Sequence, residues 1–165
     1  MPTSSRFFTR PLIPADQDFL WEMLYQAIYV PAGSPPPARE VIYQADLAKY
    51  VSDWGQSDDL GLVAIDSTIQ QPVGAAWLRL LIGSNRGYGY LDDHTPELSI
   101  AILPAYRGQG IGSILLEKIV LAARSRYPAI SLSVSVGNPA RNLYERVGFF
   151  EVRKENDSCI MKKGF

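Results

Sequence analysis

The stretch LPAYRGQGIGS, Leu103 to Ser113, holds three glycines within five residues, between an apolar run with strand character and one with helix character. Glycine inside a helix costs about 1 kcal/mol relative to alanine, so a helix that opens this way gains something from bare backbone. Strand, glycine-rich turn and helix in succession make an anion cradle. The first N–H groups of a helix lack intrahelical acceptors, and the helix dipole adds about half a positive charge at that end. Phosphate oxygens fit there where no Cβ blocks them. A tight turn with close helix–strand packing would use the same glycines, and the stretch alone leaves both readings open.

Spacing narrows the choice of phosphate ligand. A Walker loop needs Gly-x-x-x-x-Gly-Lys-Ser/Thr, and no such string occurs. A dinucleotide fingerprint needs Gly-x-Gly-x-x-Gly. Counted from Gly108, its last position falls on Ser113, and Ile130–Ser133 occupies the region where an acidic residue should follow. Both nucleotide readings fail.

Around the loop, periodicity predicts a mixed α/β chain. A short strand at Arg6–Arg10 precedes a helix opening at Pro14-Ala15-Asp16, with Phe19, Leu20, Met23, Leu24 and Ala27 at helical spacing. PAGSPPPAR, Pro31–Arg39, is a breaker-rich loop. A second helix is expected from about Ala38 to Trp54, with Val41, Ala45, Ala48 and Val51 on one side. Strands follow at Gly61–Asp66 and Val73–Ile82, then a long polar loop, Gly83–Pro96, of a length that is often functional. Glu97–Leu103 is a strand with Leu98, Ile100 and Ile102 on one face. Ile111–Arg124 is a helix apolar over most of its surface.

ISLSVSV, Ile130–Val136, alternates cleanly, which predicts one buried and one polar face. In GNPARNLYERVGFF, Asn138 suits an N-cap, Pro139 the first helical position and Gly148 the residue past the C-terminus. Phe149–Arg153 and Ser158–Lys163 read as a closing hairpin. The order is β-α-α-β-β-β-α-β-α-β-β, a mixed-sheet α/β (α+β) arrangement expected to form one domain over residues 1–165.

Composition removes several function classes. The 165 residues carry 16 Lys and Arg against 17 Asp and Glu, a net charge of −1, so no strong field recruits nucleic acid or a membrane surface. A single cysteine, Cys159, excludes an intramolecular disulfide, and it is expected to be buried and inert. With one histidine beside it, no metal-ligand spacing exists and no metal is expected. No segment approaches the roughly 20 apolar residues that span a bilayer, and MPTSSRFFTRPLIP lacks the apolar core of a signal peptide. A cytoplasmic location is the default expectation.

One pattern does fit the loop: Arg107, Gly110 and Gly112 fill Gln/Arg-x-x-Gly-x-Gly/Ala. With ELSIAILPAYRGQGIGSILLE on one side and NPARNLYERVGFFEV about 25 residues on, the sequence resembles the GCN5-related N-acetyltransferase (GNAT) superfamily. The resemblance implies the acyl-CoA N-acyltransferase fold, with acetyl-CoA as co-substrate. It implies that backbone N–H groups of Gly108, Gln109, Gly110, Ile111, Gly112 and Ser113 hold the pyrophosphate. It puts Ile100, Ala101 and Ile102 where strand backbone pairs with the pantetheine arm, and Asn138 where a polar side chain meets the pantetheine or thioester end. The Asn-Pro form here lets a capping role compete with that contact. Tyr144 matches the general acid that protonates the departing thiolate. Arg107 pairs with a phosphate or acts through loop geometry. Lys118 and Arg146 are candidate partners of the adenosine 3′-phosphate, or solvated helix surface.

Acyl transfer to an amine needs a deprotonated amine, a stabilised oxyanion and a thiolate that can leave. No covalent enzyme intermediate is needed when amine and thioester lie side by side. Glu97, opening the strand that would carry the cofactor, is the leading base candidate, with its carboxylate expected at the cleft mouth; a strand-end salt bridge is the alternative. His94, in the long loop, is a second candidate base or a solvated residue. By the same resemblance Trp21, Tyr25, Tyr29, Tyr43, Tyr88, Tyr90, Asp92, Asp93 and Glu97 border the acceptor side, and aromatics with carboxylates suit a cationic amine. The expected function is transfer of acetyl from acetyl-CoA to a primary amine in a ternary complex. A small cationic amine is favoured over a protein N-terminus or lysine. The alternative is a catalytically silent acyl-CoA-binding module on the same fold. Homodimers are frequent in the family, although nothing in the chain specifies one.

Overall fold

The computed structural model describes residues 5–165. The main elements come in the expected order: β1 (Phe7–Pro11), α1 (Gln17–Ala27), α2 (Ala45–Ala48), β2 (Leu60–Asp66), β3 (Gln71–Arg79), β4 (Glu97–Ile102), α3 (Ile111–Ala123), β5 (Ala129–Ser135), α4 (Ala140–Val147), β6 (Phe150–Lys154) and β7 (Ser158–Gly164). Seven strands form one sheet in the order β1-β2-β3-β4-β5-β7-β6. All neighbours are antiparallel except β4 and β5. This parallel pair meets at a single register, Glu97 opposite Ser131. Beyond that position the strands part, so their facing edges have no strand partner and a wedge opens between them.

The two sheet faces carry separate apolar clusters. Leu115, Leu116 and Ile119 of α3 pack with Leu78, Leu98, Ile130 and Leu132 on one face. Leu20, Met23 and Leu24 of α1 pack with Val51, Trp54, Trp77 and Ala101 on the other. Among the described residues no helix is long and apolar enough to cross a membrane.

Two expectations fail here, each for a visible reason. The helix expected over Ala38–Trp54 is broken into a 3-10 turn at Arg39–Tyr43 and the four-residue α2, with Gln44 extended between them. Side chains from elsewhere claim the carbonyls that follow. Arg79 Nη1 donates to Lys49 O at 2.9 Å and Ser52 O at 2.6 Å. Trp77 Nε1 donates to Tyr50 O at 2.9 Å, and Gln17 Nε2 donates to Val51 O at 2.6 Å. Four successive carbonyls thus serve the sheet and α1, and Tyr50, Val51 and Trp54 are buried in a segment that those bonds hold to the sheet. The second failure is β5. Its serine face stays partly exposed at Ser133 and Ser135, but Ser131 is wholly buried, and its Oγ donates to Gly89 O at 2.7 Å under the 83–96 loop.

The same loop buries Glu97, which is 6% exposed rather than at a cleft mouth. Tyr50 Oη donates to Glu97 Oε1 at 2.7 Å and Gly89 N–H donates to the same oxygen at 2.9 Å, while Oε2 has no partner among the described residues. Burial pushes the Glu97 carboxyl up from 4.5 to about 7, against the pull of those two donors and of the Lys49 charge. The folded protein therefore holds a proton between pH 4.5 and about 7 that the unfolded chain releases, so stability falls as pH rises through that window and levels off above it. At about 1.4 kcal/mol per tenfold change in proton affinity, the loss is of order 3 kcal/mol. Glu97→Gln removes this titration. In denaturant unfolding, the stability of the variant relative to the parent is expected to rise from about pH 5 to about pH 7.5; a difference independent of pH would mean an unshifted carboxyl.

Candidate active site

The glycine loop closes onto α3 as the cradle requires. Gly110 caps the helix in the left-handed region, φ 82°, where a side chain is strained. None of the six backbone N–H groups from Gly108 to Ser113 finds an acceptor among the described residues. A row of unpaired donors at the positive end of a 13-residue helix is chemistry that suits an anion. Arg107 shapes the loop: Nε donates to Ile102 O at 3.2 Å and Nη2 to Gln26 Oε1 at 3.2 Å.

The cradle opens into a cavity of about 760 Å³ that lies between the end of β4 and α4, past the point where β4 and β5 pair. Ile100, Ala101 and Ile102 form its β4 wall; Arg107, Gly108, Gly110, Ile111, Gly112 and Ser113 form the cradle end. Asn138, Tyr144 and Arg146 come from the start and body of α4. Ile100 and Ile102 pack against the α3-side cluster and also line the cavity, which leaves them only partly buried. Asn138 Oδ1 accepts from Ala140 N–H at 3.0 Å, so its cap function is realised one residue before Pro139, and Gly148 ends α4 in the left-handed region.

Tyr144 is 8% exposed, packs edge-on to Phe149 at 6.1 Å between centroids, and its hydroxyl has no hydrogen-bond partner among the described residues. Burial pushes that hydroxyl up to about 12, so it stays protonated at neutral pH. A neutral phenol open to a cavity is a proton donor waiting for a base.

The remaining candidates lie elsewhere. Glu97 is sealed beneath the 83–96 loop, and neither it nor Gln109 lines the cavity. His94 is exposed, its N–H bonded to Asp92, and Lys118 reaches Thr9 Oγ1 at 3.1 Å. Cys159 is buried beside Arg141, and burial raises its thiol. Of the aromatics and acids expected on the acceptor side, only Tyr25 and Tyr29 reach the cavity. Trp21 instead packs on Tyr43 at 5.0 Å, Tyr88 bonds Asp46 and Tyr90 bonds Asp93. Among the described residues, no aspartate or glutamate lines the cavity.

Pro36 and Pro37, read in the sequence only as breakers, form part of its wall, with Pro37 O accepting from Tyr25 Oη at 2.7 Å. Tyr50 and Gly89, which hold Glu97, carry no sequence signal; only their tertiary neighbours reveal them.

Residues 21–149, more than three quarters of the chain, match the model of the acetyltransferase (GNAT) family. A stretch of 93 residues is 38% identical to the ribosomal protein bS18-alanine N-acetyltransferase of Haemophilus influenzae, covering 52% of this chain and 63% of that protein. Another comparison aligns 59 residues at 46% identity with an N-alpha-acetyltransferase of Sulfurisphaera tokodaii, covering 34% of this chain and 35% of that one. The chain thus spans less than two thirds of the length of either curated relative. Among solved structures, the acetyltransferase yncA from Salmonella typhimurium, described with its cofactor acetyl-CoA, matches at TM-score 0.65 and 18% identity, over 97% of this chain and 94% of that one. That likeness speaks for the fold, and the family match joins it to the glycine loop and α4: the chain belongs to the acetyltransferase (GNAT) family.

Proposed function

We propose that this protein is an acetyl-CoA-dependent N-acetyltransferase whose acceptor is the α-amine of a peptide or protein N-terminus. The observation that carries the first part is the run of free N–H groups from Gly108 to Ser113, opening into a cavity with a protonated Tyr144 on its wall. The pyrophosphate of acetyl-CoA fits the donors of the cradle, and the pantetheine arm fits the unpaired β4 edge at Ile100–Ile102, adding main-chain hydrogen bonds where β5 leaves them open. Coenzyme A supplies an activated thioester. The acceptor nitrogen would bond to the acetyl carbon and release its proton to water, the carbon–sulfur bond would break, and Tyr144 would hand its hydroxyl proton to the leaving sulfur and regain one from solvent.

The acceptor follows from the charge of the cavity. Its wall carries Arg107 and Arg146 with aromatic and aliphatic side chains and no carboxylate among the described residues. A polyamine or lysine, charged at neutral pH, has nothing there to neutralise it. An α-amine titrates near 8, against about 10.4 for lysine, so much of it is already neutral at mildly alkaline pH and little base is needed. This departs from the small cationic amine favoured by sequence, because Asp92, Asp93 and Glu97 do not line the cavity. Both curated relatives, a ribosomal protein bS18-alanine N-acetyltransferase and an N-alpha-acetyltransferase, support the same reading.

Three outcomes test this. A Cβ at Gly112 would meet only Leu143 Cδ2, at an ordinary 3.6 Å. Gly112→Ala should therefore fold at least as well as the parent, yet bind acetyl-CoA about tenfold or more weakly by calorimetry, through one disturbed charged hydrogen bond; unchanged affinity would leave the glycine a packing device. Tyr144→Phe should lower kcat about 10²-fold with the acetyl-CoA Kd unchanged. Thiol release should be seen with peptides bearing a free α-amine, rise with pH through about 8, and vanish when that amine is blocked and only a lysine is left. Turnover of polyamines alone would overturn the acceptor assignment.

A further inference from the structure

The structure assigns Glu97, Ser131 and the Gly89 backbone the role of a clasp that closes the apex of the β4–β5 wedge and so positions the two walls of the active site. The assignment rests on the acetyltransferase reading above and gives Glu97 a positioning role in place of a base.

Gly89 is bonded to both strands at once. Its N–H donates to Glu97 Oε1 on β4 at 2.9 Å, and its carbonyl accepts from Ser131 Oγ on β5 at 2.7 Å. Glu97 and Ser131 are the one register at which the two strands pair. The backbone there is otherwise tied by Ser131 N–H donating to Pro96 O at 3.0 Å. One loop residue therefore doubles the hydrogen bonding at the point where the sheet is thinnest.

The residue types answer to this geometry. A Cβ on Gly87 would lie 2.0 Å from Glu97 Oε2, and one on Gly89 would lie 2.9 Å from the carboxyl carbon, so no larger residue lets the loop descend onto the carboxyl. Tyr50 fixes the orientation: its hydroxyl donates to Glu97 Oε1 and accepts from Tyr88 N–H at 2.8 Å. Strand alternation puts Ser99 and Ser133 on the same sheet face as Glu97 and Ser131. Both are partly exposed, so the clasp ends where the wedge begins. One arm of the wedge carries Ile100–Ile102; the other leads through Gly137, held by Tyr29 Oη at 3.2 Å, to Asn138 and Tyr144. A small rotation at the apex becomes a larger displacement at those arms, and acyl transfer is sensitive to displacements of about 1 Å.

The test compares Ser131→Ala, Glu97→Ala and Glu97→Gln in the full chain. Amide exchange at Gly89 should be at least about tenfold faster than in the parent in both alanine variants and near parental in Glu97→Gln, which keeps the accepting oxygen. With the peptide acceptor, kcat/KM should fall about tenfold in both alanine variants and stay within about threefold in Glu97→Gln, with the pH–rate profile unmoved. A loss above about 10²-fold in kcat for Glu97→Gln, with the limb near pH 7 abolished, would make Glu97 the base and overturn the clasp. Unchanged Gly89 exchange in Ser131→Ala would overturn it equally, and this variant stands in if Glu97→Ala fails to fold. The exchange readout needs no turnover, so failure of the acetyltransferase reading and failure of the clasp are separable.

Discussion

Two parallel strands that touch at one register and then part impose most of what this chain must do. Backbone donors and acceptors along the open edges of β4 and β5 cannot be left buried without partners. The wedge has to be wet or filled by something with its own amides. The β4 edge past Glu97, where Ile102 O already accepts from Arg107 Nε, is the place we propose for the pantetheine arm of acetyl-CoA. The glycine cradle at one end of the wedge and Tyr144 on its far wall take their meaning from that gap.

The fold spends buried polar groups in two different ways. Arg79 sits in a fully paired setting, with Asp59 Oδ2 at 2.9 Å and two backbone carbonyls, and ties the irregular 39–54 segment to the sheet. Glu97 is held by two donors on one oxygen while the other has none among the described residues. The first arrangement locks structure with every group satisfied. The second leaves a carboxyl whose charge the site resists, and such incomplete satisfaction in a native protein calls for a reason beyond packing. The position of Glu97 where both strands begin to part supplies one.

Much of the fold was legible because its signals are local. The glycines from Gly108 to Gly112, the Asn138–Pro139 start and the Gly148 stop of α4 each act within a few residues. The cavity walls followed from the same motifs. The parts that escaped depend on partners far along the chain. Val41, Ala45, Ala48 and Val51 keep helical spacing, yet Arg79, Trp77 and Gln17 draw the carbonyls of residues 49–52 into other bonds. Ser131 alternates as a surface residue does, and a loop more than 40 residues earlier covers it. The acids Asp92 and Asp93 read as substrate-facing because the sequence does not say which way a loop turns.

Sheet order and chain order disagree at one place. β7, the final strand described, lies between β5 and β6. Until β7 arrives, β6 has no neighbour to pair with, and β5 has an open edge on the side away from β4. Helix α4, which joins β5 to β6, is thus flanked by two strands whose open edges only β7 closes. Non-local pairing of this kind slows folding, and it ties the setting of Tyr144 to a strand, Ser158–Gly164, that lies further along the chain.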